Sequence, residues 1–458
     1  MSSKDRHRKG RIAMATTQSD VRGAVEATYR DRTPKSRELF ALAGTVMPGG
    51  DTRSALYFSP YPTFVERGFG CHLRDVDGNE YLDFLSNYTS LVHGHAHPVI
   101  TKAIADQIER GTAFASPTEN QIRLAELLKS RMPSLERVRF CNSGTEATLM
   151  AIRAAKAFTG RNKVIKLDGG YHGTHDAALI GTPTTSNTKG ALQDWGLFRA
   201  IVADVLSTPA NDINAAAKLF EQCCDDLAAV IVEPVMGGAG IIALEAGFLN
   251  FLRESTRSSG ALLILDEVIT FRLSYGGGQQ LYGLLPDLTS LGKIIGGGLP
   301  VGAFGGRSEI MSQFDPADGI LPHSGTFNGN AATMAAGIAA VELLTKEAID
   351  RINQLGDRLR AGLRDAMLAN GIEAQITGIG SLLGIHFIKE PIRNYRDALR
   401  APRNIVSALH LSLMNRGMFV APRGFLCTST AMSETEVDDL VSAFGDTLAT
   451  LSPECCRA

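Results

Sequence analysis

Two uninterrupted apolar runs of strand length, LAAVIVEPV at 227–235 and ALLILDEV at 261–268, most constrain what this chain can become. A strand that alternates apolar and polar residues covers one face of a sheet, whereas a run without a polar break needs both faces covered. Shorter strands, RVRFC at 137–141 and KVIKL at 163–167, flank the helical pattern TEATLMAIRAAKAF at 145–158. The central region is therefore expected to be α/β, with a large, mostly parallel sheet and ligands at the carboxyl ends of its strands.

Upstream, RELFALAGTVMP (37–48) predicts a short helix stopped by Pro48, and CHLRDVDGNEYLDF (71–84) alternates about Asp77-Gly78, a hairpin signal. Downstream of the small-residue helix AATMAAGIAAVELL (331–344) come a long amphipathic helix, the strand-like GSLLGIHF and two further helical patterns. They predict a smaller α+β domain at the C-terminus. The expected division is 1–82 as a basic tail and N-terminal segment joining the small domain, 83–342 as the large domain and 343–458 as the small one.

A formal charge of −2, with 21% charged and 44% hydrophobic residues, asks for neither nucleic acid nor an anionic membrane, and no run is long and apolar enough to span a bilayer. Small-molecule chemistry is the expectation. The seven cysteines (71, 141, 223, 224, 427, 455 and 456) include no CxxC pair, which argues against a disulfide framework or a zinc site and for a reducing, cytoplasmic setting. The opening MSSKDRHRKGRIAMATTQSD lacks the apolar core of a secretory signal. It reads as a disordered tail, with Met14 as an alternative start and a nucleic-acid arm as the other reading of its charges.

Three stretches carry chemistry. In RFCNSGTEA a strand ends at Cys141 and a helix begins past Ser143, which with Glu146 fits an S-x-x-E capping box. The same start offers free N–H groups and the hydroxyls of Ser143 and Thr145 to an anion such as phosphate, so both readings stand. Asp266 ends a buried strand, where an acid needs a partner carrying a proton or a positive charge. Lys293 ends the strand-like DLTSLGK and is followed by IIGGGLPVGAFGG. An amine that is desolvated there loses its proton more readily, as a nucleophile on a carbonyl must. An anion cradle, a buried acid and such a lysine at one sheet edge are the parts that pyridoxal phosphate requires.

The ordered motifs NSGTEA, GGYHG, VIVEPV, LLILDEV, LGKIIGGGLPVGAFGG and SGTFNGN resemble those of the class III aminotransferases, pyridoxal-phosphate enzymes of fold type I, from about Thr33 onward. The resemblance implies that Lys293 bonds the cofactor and that Asp266 binds its ring nitrogen. Ser143, Gly144 and Thr145 would hold the phosphate, Tyr171 would lie over the ring and Val268 under it, and Glu233 would be a further cofactor-binding residue. Thr326 would reach the phosphate of a neighbouring subunit, which implies a homodimer with shared active sites. A purely structural role stays open for Tyr171 and for Glu233. The alternating His93, His95 and His97 share one face if extended, as metal ligands can, but a similar GHAHP in that family precedes a helix, and no metal is expected.

Within the family, MPGG, VDGNEYLDF and GHAHP resemble glutamate-1-semialdehyde aminomutase. PGGDTRSALYFSPYP places Arg53 earlier than that enzyme's arginine, and GTFNGN replaces its usual pattern. With FVAPRGF these departures resemble the bacterial β-phenylalanine aminotransferases. By that resemblance Arg53 and Arg423 clamp carboxylates of an amino donor and a keto-acid acceptor (2-oxoglutarate or pyruvate), and Tyr57, Phe58, Tyr61 and Tyr88 wall an aryl group. Met236 departs from a residue that is often polar in these relatives. The expected reaction is a ping-pong transamination of an aryl β-amino acid. The alternatives are an intramolecular aminomutase or epimerase, and a non-catalytic scaffold that keeps the fold.

Overall fold

The computed structural model describes residues 22–182 and 196–451, so the basic opening tail, Cys455 and Cys456 lie outside the described residues. After a helix at 22–32, the helix Pro34–Val46 forms where RELFALAGTVMP predicts one. Strands β1 (Val65–Phe69), β2 (His72–Asp75) and β3 (Glu80–Asp83) follow as an antiparallel set. The β2–β3 turn forms as expected because Asp75 Oδ1 accepts from the N–H groups of Asp77 and Asn79, and Gly78 supplies the φ of 88°.

The central sheet is built from β4 (Arg137–Cys141), β5 (Lys163–Leu167), β6 (Val205–Thr208), β7 (Leu227–Val232), then, past a small β8 (Val235–Met236) and β9 (Ile242–Ala243) pair, β10 (Leu262–Asp266), β11 (Leu288–Gly292) and β12 (Gly302–Gly306). Its order is β4-β12-β11-β10-β7-β5-β6, and all strands run parallel except β12, which is antiparallel to both neighbours. Every residue of β7, β10, β11 and β12 is buried, as continuous apolar runs require. Val230, Leu263 and Leu265 pack with Phe248 and Leu252 of the helix Ala246–Ser259. Ala229, Ile231 and Ile264 face the other way, onto Ala151 and Ala155 of the helix Gly144–Thr159. Each larger side chain so buried contributes about 1.5–3 kcal/mol.

Beyond the helix Ala331–Leu343, the helix Lys346–Ala369 leads to β13 (Gln375–Ile379), β14 (Leu382–His386), β15 (Met418–Phe419) and β16 (Phe425–Cys427), with helices Arg403–Asn415 and Glu434–Thr450. Strands β13, β14 and β16 form one antiparallel sheet, while β15 pairs in parallel with β3, Met418 opposite Leu82. The N-terminal hairpin and the C-terminal segment are thereby hydrogen-bonded to each other. Among the described residues no helix is long and apolar enough to cross a membrane.

Candidate active site

The register places the expected residues on one edge. Gly302 of β12 lies opposite both Cys141 of β4 and Gly292 of β11, so Ser143 and Lys293 leave the sheet at the same level. Asp266 pairs with Ser290, and Val232 pairs with Leu265, which brings Asp266 and Glu233 to that level as well. The approach of the strand ends is closest at Gly302, where a Cβ would stand 2.0 Å from the Ser143 carbonyl oxygen. Only glycine fits there, which explains one of the glycines after Lys293.

The helix from Gly144 starts as a capped helix and leaves donors over. Ser143 Oγ accepts from Glu146 N at 3.1 Å, but the Glu146 carboxylate takes the N–H of Asn142, at 2.9 Å, rather than that of Ser143. The expected box thus closes one residue early. Gly144 and Thr145, in the first turn, keep N–H groups with no intrahelical acceptor, at the positive end of a 16-residue helix. A Cβ at Gly144 would sit 3.2 Å from Val268, so Val268 and the helix start wall the same space.

Lys293 begins the turn after β11 with a φ of 47°, a left-handed conformation that a side chain at this position adopts only when its surroundings enforce it. Burial pushes its pKa down and Arg53 adds to this, while the charges of Asp266 and Glu233 oppose it. Its ammonium forms no hydrogen bond or ion pair among the described residues. Asp266, 4% exposed, has the partner its burial demands in His172, whose Nδ1–H donates to Oδ2 at 2.8 Å; Oδ1 accepts from Val268 N at 3.1 Å. Burial holds His172 neutral despite that carboxylate, and its Nε2 is buried without a partner. The backbone carbonyl of His172 accepts from Thr148 Oγ1 at 2.6 Å. Sequence reasoning alone misses His172, although it stands next to Tyr171 in GGYHG.

Glu233 is 4% exposed and bridges two loops, Oε1 accepting from Tyr171 N and Oε2 from Gly237 N, each at 2.9 Å. Burial and the nearby Asp266 push it up to about 8. It therefore fixes the backbone that carries Tyr171, a residue 44% exposed. Arg53 donates from Nη1 to Asn87 Oδ1 at 2.8 Å, and its guanidinium lies 5.5 Å from the centre of the Tyr88 ring. Residues Ser86 to Thr89 all have positive φ, a strained turn that presents Tyr88. The Tyr88 hydroxyl donates to Ala55 O at 2.7 Å, and the charges of both Arg423 and Arg53 act on it. Arg53 and Arg423 therefore converge on one phenol.

Other expected residues lie elsewhere. Tyr61 is 2% exposed in a core with Tyr29 and bonds Thr33, so it walls no substrate: its ring is absorbed by the packing of the N-terminal helices. Met236 is buried in β8. Thr326 is exposed, in a surface hollow with Phe114 and Phe327. The three histidines have separate partners: His93 takes Ala340 O and Thr430, His95 takes Asp83, and His97 stands against the His93 ring. Cys71, Cys141, Cys223, Cys224 and Cys427 are free thiols.

The residues present fit pyridoxal phosphate: an amine left without a hydrogen bond, a paired acid on the adjacent strand, and free N–H groups at a helix start level with both. Such a sheet with such a site defines a pyridoxal-phosphate transferase of fold type I. The chain belongs to the class III aminotransferases, whose family model, Aminotransferase class-III, matches residues 56–447. It is 42% identical over 424 residues to the glutamate-1-semialdehyde 2,1-aminomutase of Methanothermobacter thermautotrophicus, covering 91% of this chain and 99% of that one. An omega-transaminase from Sphaerobacter thermophilus matches with a TM-score of 0.86 and 46% identity, over 91% of this chain and 97% of the other. A β-phenylalanine aminotransferase from Variovorax paradoxus matches with a TM-score of 0.88 and 38% identity, over 94% and 97%.

Proposed function

We propose that this enzyme transfers the amino group of a small carboxylate-bearing amine, with aryl β-amino acids such as β-phenylalanine as donors and 2-oxoglutarate or pyruvate as acceptor. The observation that carries the reading is the convergence of Arg53 and Arg423 on Tyr88, beside Lys293. A β-amino acid holds its carboxylate one carbon further from the amine than an α-acid does, and two separate guanidinium groups near one ring suit two carboxylate positions.

When bound, pyridoxal phosphate supplies a carbonyl that exchanges amines and a ring that takes up electrons from the breaking C–H bond. Lys293 Nζ, its proton loosened by burial, would hold the cofactor at rest and would take the proton from the substrate carbon and return it. Asp266, oriented by His172, would keep the ring nitrogen protonated. Ser143, Gly144 and Thr145 would hold the phosphate and Tyr171 and Val268 the ring, with Tyr171 positioned by Glu233. Thr326 serves the site of a second copy, a role that the exposed Phe114, Ile320 and Phe327 support as the apolar face of a homodimer. The β3–β15 pairing supports grouping the described part of the 1–82 segment with the small domain.

A second reading, the glutamate-1-semialdehyde aminomutase, has a specific observation in its favour. Archaeal and Bacillus proteins of that name are 39–42% identical to this chain over about nine-tenths of its length, against 38% for the β-phenylalanine enzyme. By similarity the aminomutase is the better supported of the two; the omega-transaminase at 46% speaks for transfer between molecules. Turnover of β-phenylalanine, glutamate 1-semialdehyde and simple amines, each with and without a keto acid, separates them. The first reading expects acceptor-dependent turnover of the aryl β-amino acid. Turnover of the semialdehyde with inert aryl β-amino acids replaces it with the second.

A further inference from the structure

Ile392, Tyr395 and Ala398, from the segment that joins β14 to the helix Arg403–Asn415, pack onto the core of the central sheet, in the cluster that holds Leu167 of β5. Two ion pairs pin the segment there. Arg393 meets both oxygens of Glu245, Nε at 2.9 Å and Nη2 at 3.0 Å, and Arg396 meets Asp168 Oδ2 through Nε at 2.8 Å and Nη2 at 2.6 Å. Asn394 and Asp397 close a capping box on the short helix Tyr395–Ala398, so the shape of the segment is fixed locally.

What the segment grips is the turn from which Tyr171 and His172 emerge. Asp168 follows β5, and its other oxygen, Oδ1, accepts from Ser207 Oγ at 2.6 Å. Gly169 has a φ of 80°, and a Cβ there would stand 2.4 Å from the Tyr395 ring, so that ring rests on bare backbone. The loop closes where Gly169 N donates to Gly181 O at 2.7 Å, and Lys166 Nζ ties its far side by donating to Ala178 O. On the site side Glu233 accepts from Tyr171 N and Asp266 from His172 Nδ1. Those bonds set a productive geometry only if the turn behind them keeps its place, since groups around a reacting centre must be held to within roughly 0.5 Å.

We propose that Tyr395 and Arg396 are positioning residues for the cofactor: from outside the site they clamp the Asp168–Gly170 turn, and so set where Tyr171 and His172 stand. The inference rests on the placement of Tyr171 at the cofactor ring given above and is independent of which amine is the donor.

The test compares the native holoenzyme with Tyr395→Ala, Arg396→Gln, Arg396→Lys and, as a control, Tyr171→Ala. The readouts are the Kd for pyridoxal phosphate, the visible circular dichroism of the bound cofactor, which reports ring orientation, and the melting temperature. Tyr395→Ala is expected to weaken cofactor binding about tenfold and to reduce the dichroism band. Arg396→Gln replaces a side chain that is 65% exposed, so native melting is expected with a cofactor affinity about threefold lower. Arg396→Lys keeps the charge and is expected to recover part of that loss. Native affinity and a native band in both Tyr395→Ala and Arg396→Gln, with both readouts altered in Tyr171→Ala, overturn the clamp and leave the placement of Tyr171 standing. Native readouts in all three overturn that placement as well. A change in Tyr395→Ala alone, matched by a lower melting temperature, assigns Tyr395 to general packing and also overturns the clamp.

Discussion

At the scale of single residues, the site depends on two charges whose surroundings pull them in different directions. Asp266 tolerates burial because His172 and Val268 N satisfy it, and Lys293 is left without a hydrogen bond so that its amine is available. Replacing Lys293 with Ala is expected to abolish turnover while the melting temperature and the phosphate contribution to cofactor binding persist; substantial residual transamination would remove the assignment. His172→Phe keeps the ring volume and removes the donor, leaving one Asp266 oxygen unsatisfied in a dry setting. We expect a stability loss of about 1–3 kcal/mol by denaturant unfolding, with weaker cofactor retention. Unchanged stability would show that Asp266 has another donor. Of this pair the acid was legible in the sequence, because it ends an apolar run. His172 was not, because nothing in GGYHG states which strand end faces it.

At the scale of elements, the central sheet followed from continuous apolar runs, but β12 did not. GAFGG carries too little apolar surface to read as a strand, and its antiparallel direction is set by a short return from Lys293 to the gap between β4 and β11. Its glycines answer steric demands of the neighbours: a Cβ at Gly302, Gly305 or Gly306 would come within 2.4 Å of a carbonyl oxygen of Ser143, Arg137 or Asp287. Gly302→Ala is expected to cost about 1–3 kcal/mol, read as a lower melting temperature, and to weaken phosphate binding by displacing the Ser143 turn. A variant with native melting and native cofactor affinity would show that this strand has room to shift. Tyr61 shows the opposite failure of a local reading. It shares one aromatic stretch with Tyr57 and Phe58 and looks equivalent to them in sequence, yet its burial against Tyr29 assigns it to the core.

At the scale of the whole molecule, burial of histidines sets an acid limit. His93 and His175 are pushed down to about 4 and His410 to about 3, all by desolvation, from an ordinary value of 6.5. Between pH 6.5 and 4 the unfolded chain therefore binds more protons than the folded one, and stability rises with pH across that window. Glu233, pushed up to about 8 from 4.5, works the other way by one proton. His172, His323 and His386 are pushed down as well and Glu267 is pushed up, so six histidines stand against two acids and the slope keeps the sign the histidines give it. Unfolding free energies at pH 6.5, 5.5 and about 4.5 should fall steeply in that order, and a flat profile would mean that these rings are protonated in the folded enzyme.

What the sequence determined by itself was the chemistry and the order of the layers: apolar runs without polar breaks demand a covered sheet, and Ser143, Asp266 and Lys293 each stand just past or at a strand end. What only the tertiary structure decided was which groups meet. Register across β4, β12 and β11 brings Ser143 level with Lys293, and a strained turn at 86–89 brings Tyr88 under the charges of both Arg53 and Arg423. Local pattern fixes how a segment folds because its forces act within a few residues. Distances between segments far apart in the chain are fixed by packing, which no single stretch encodes.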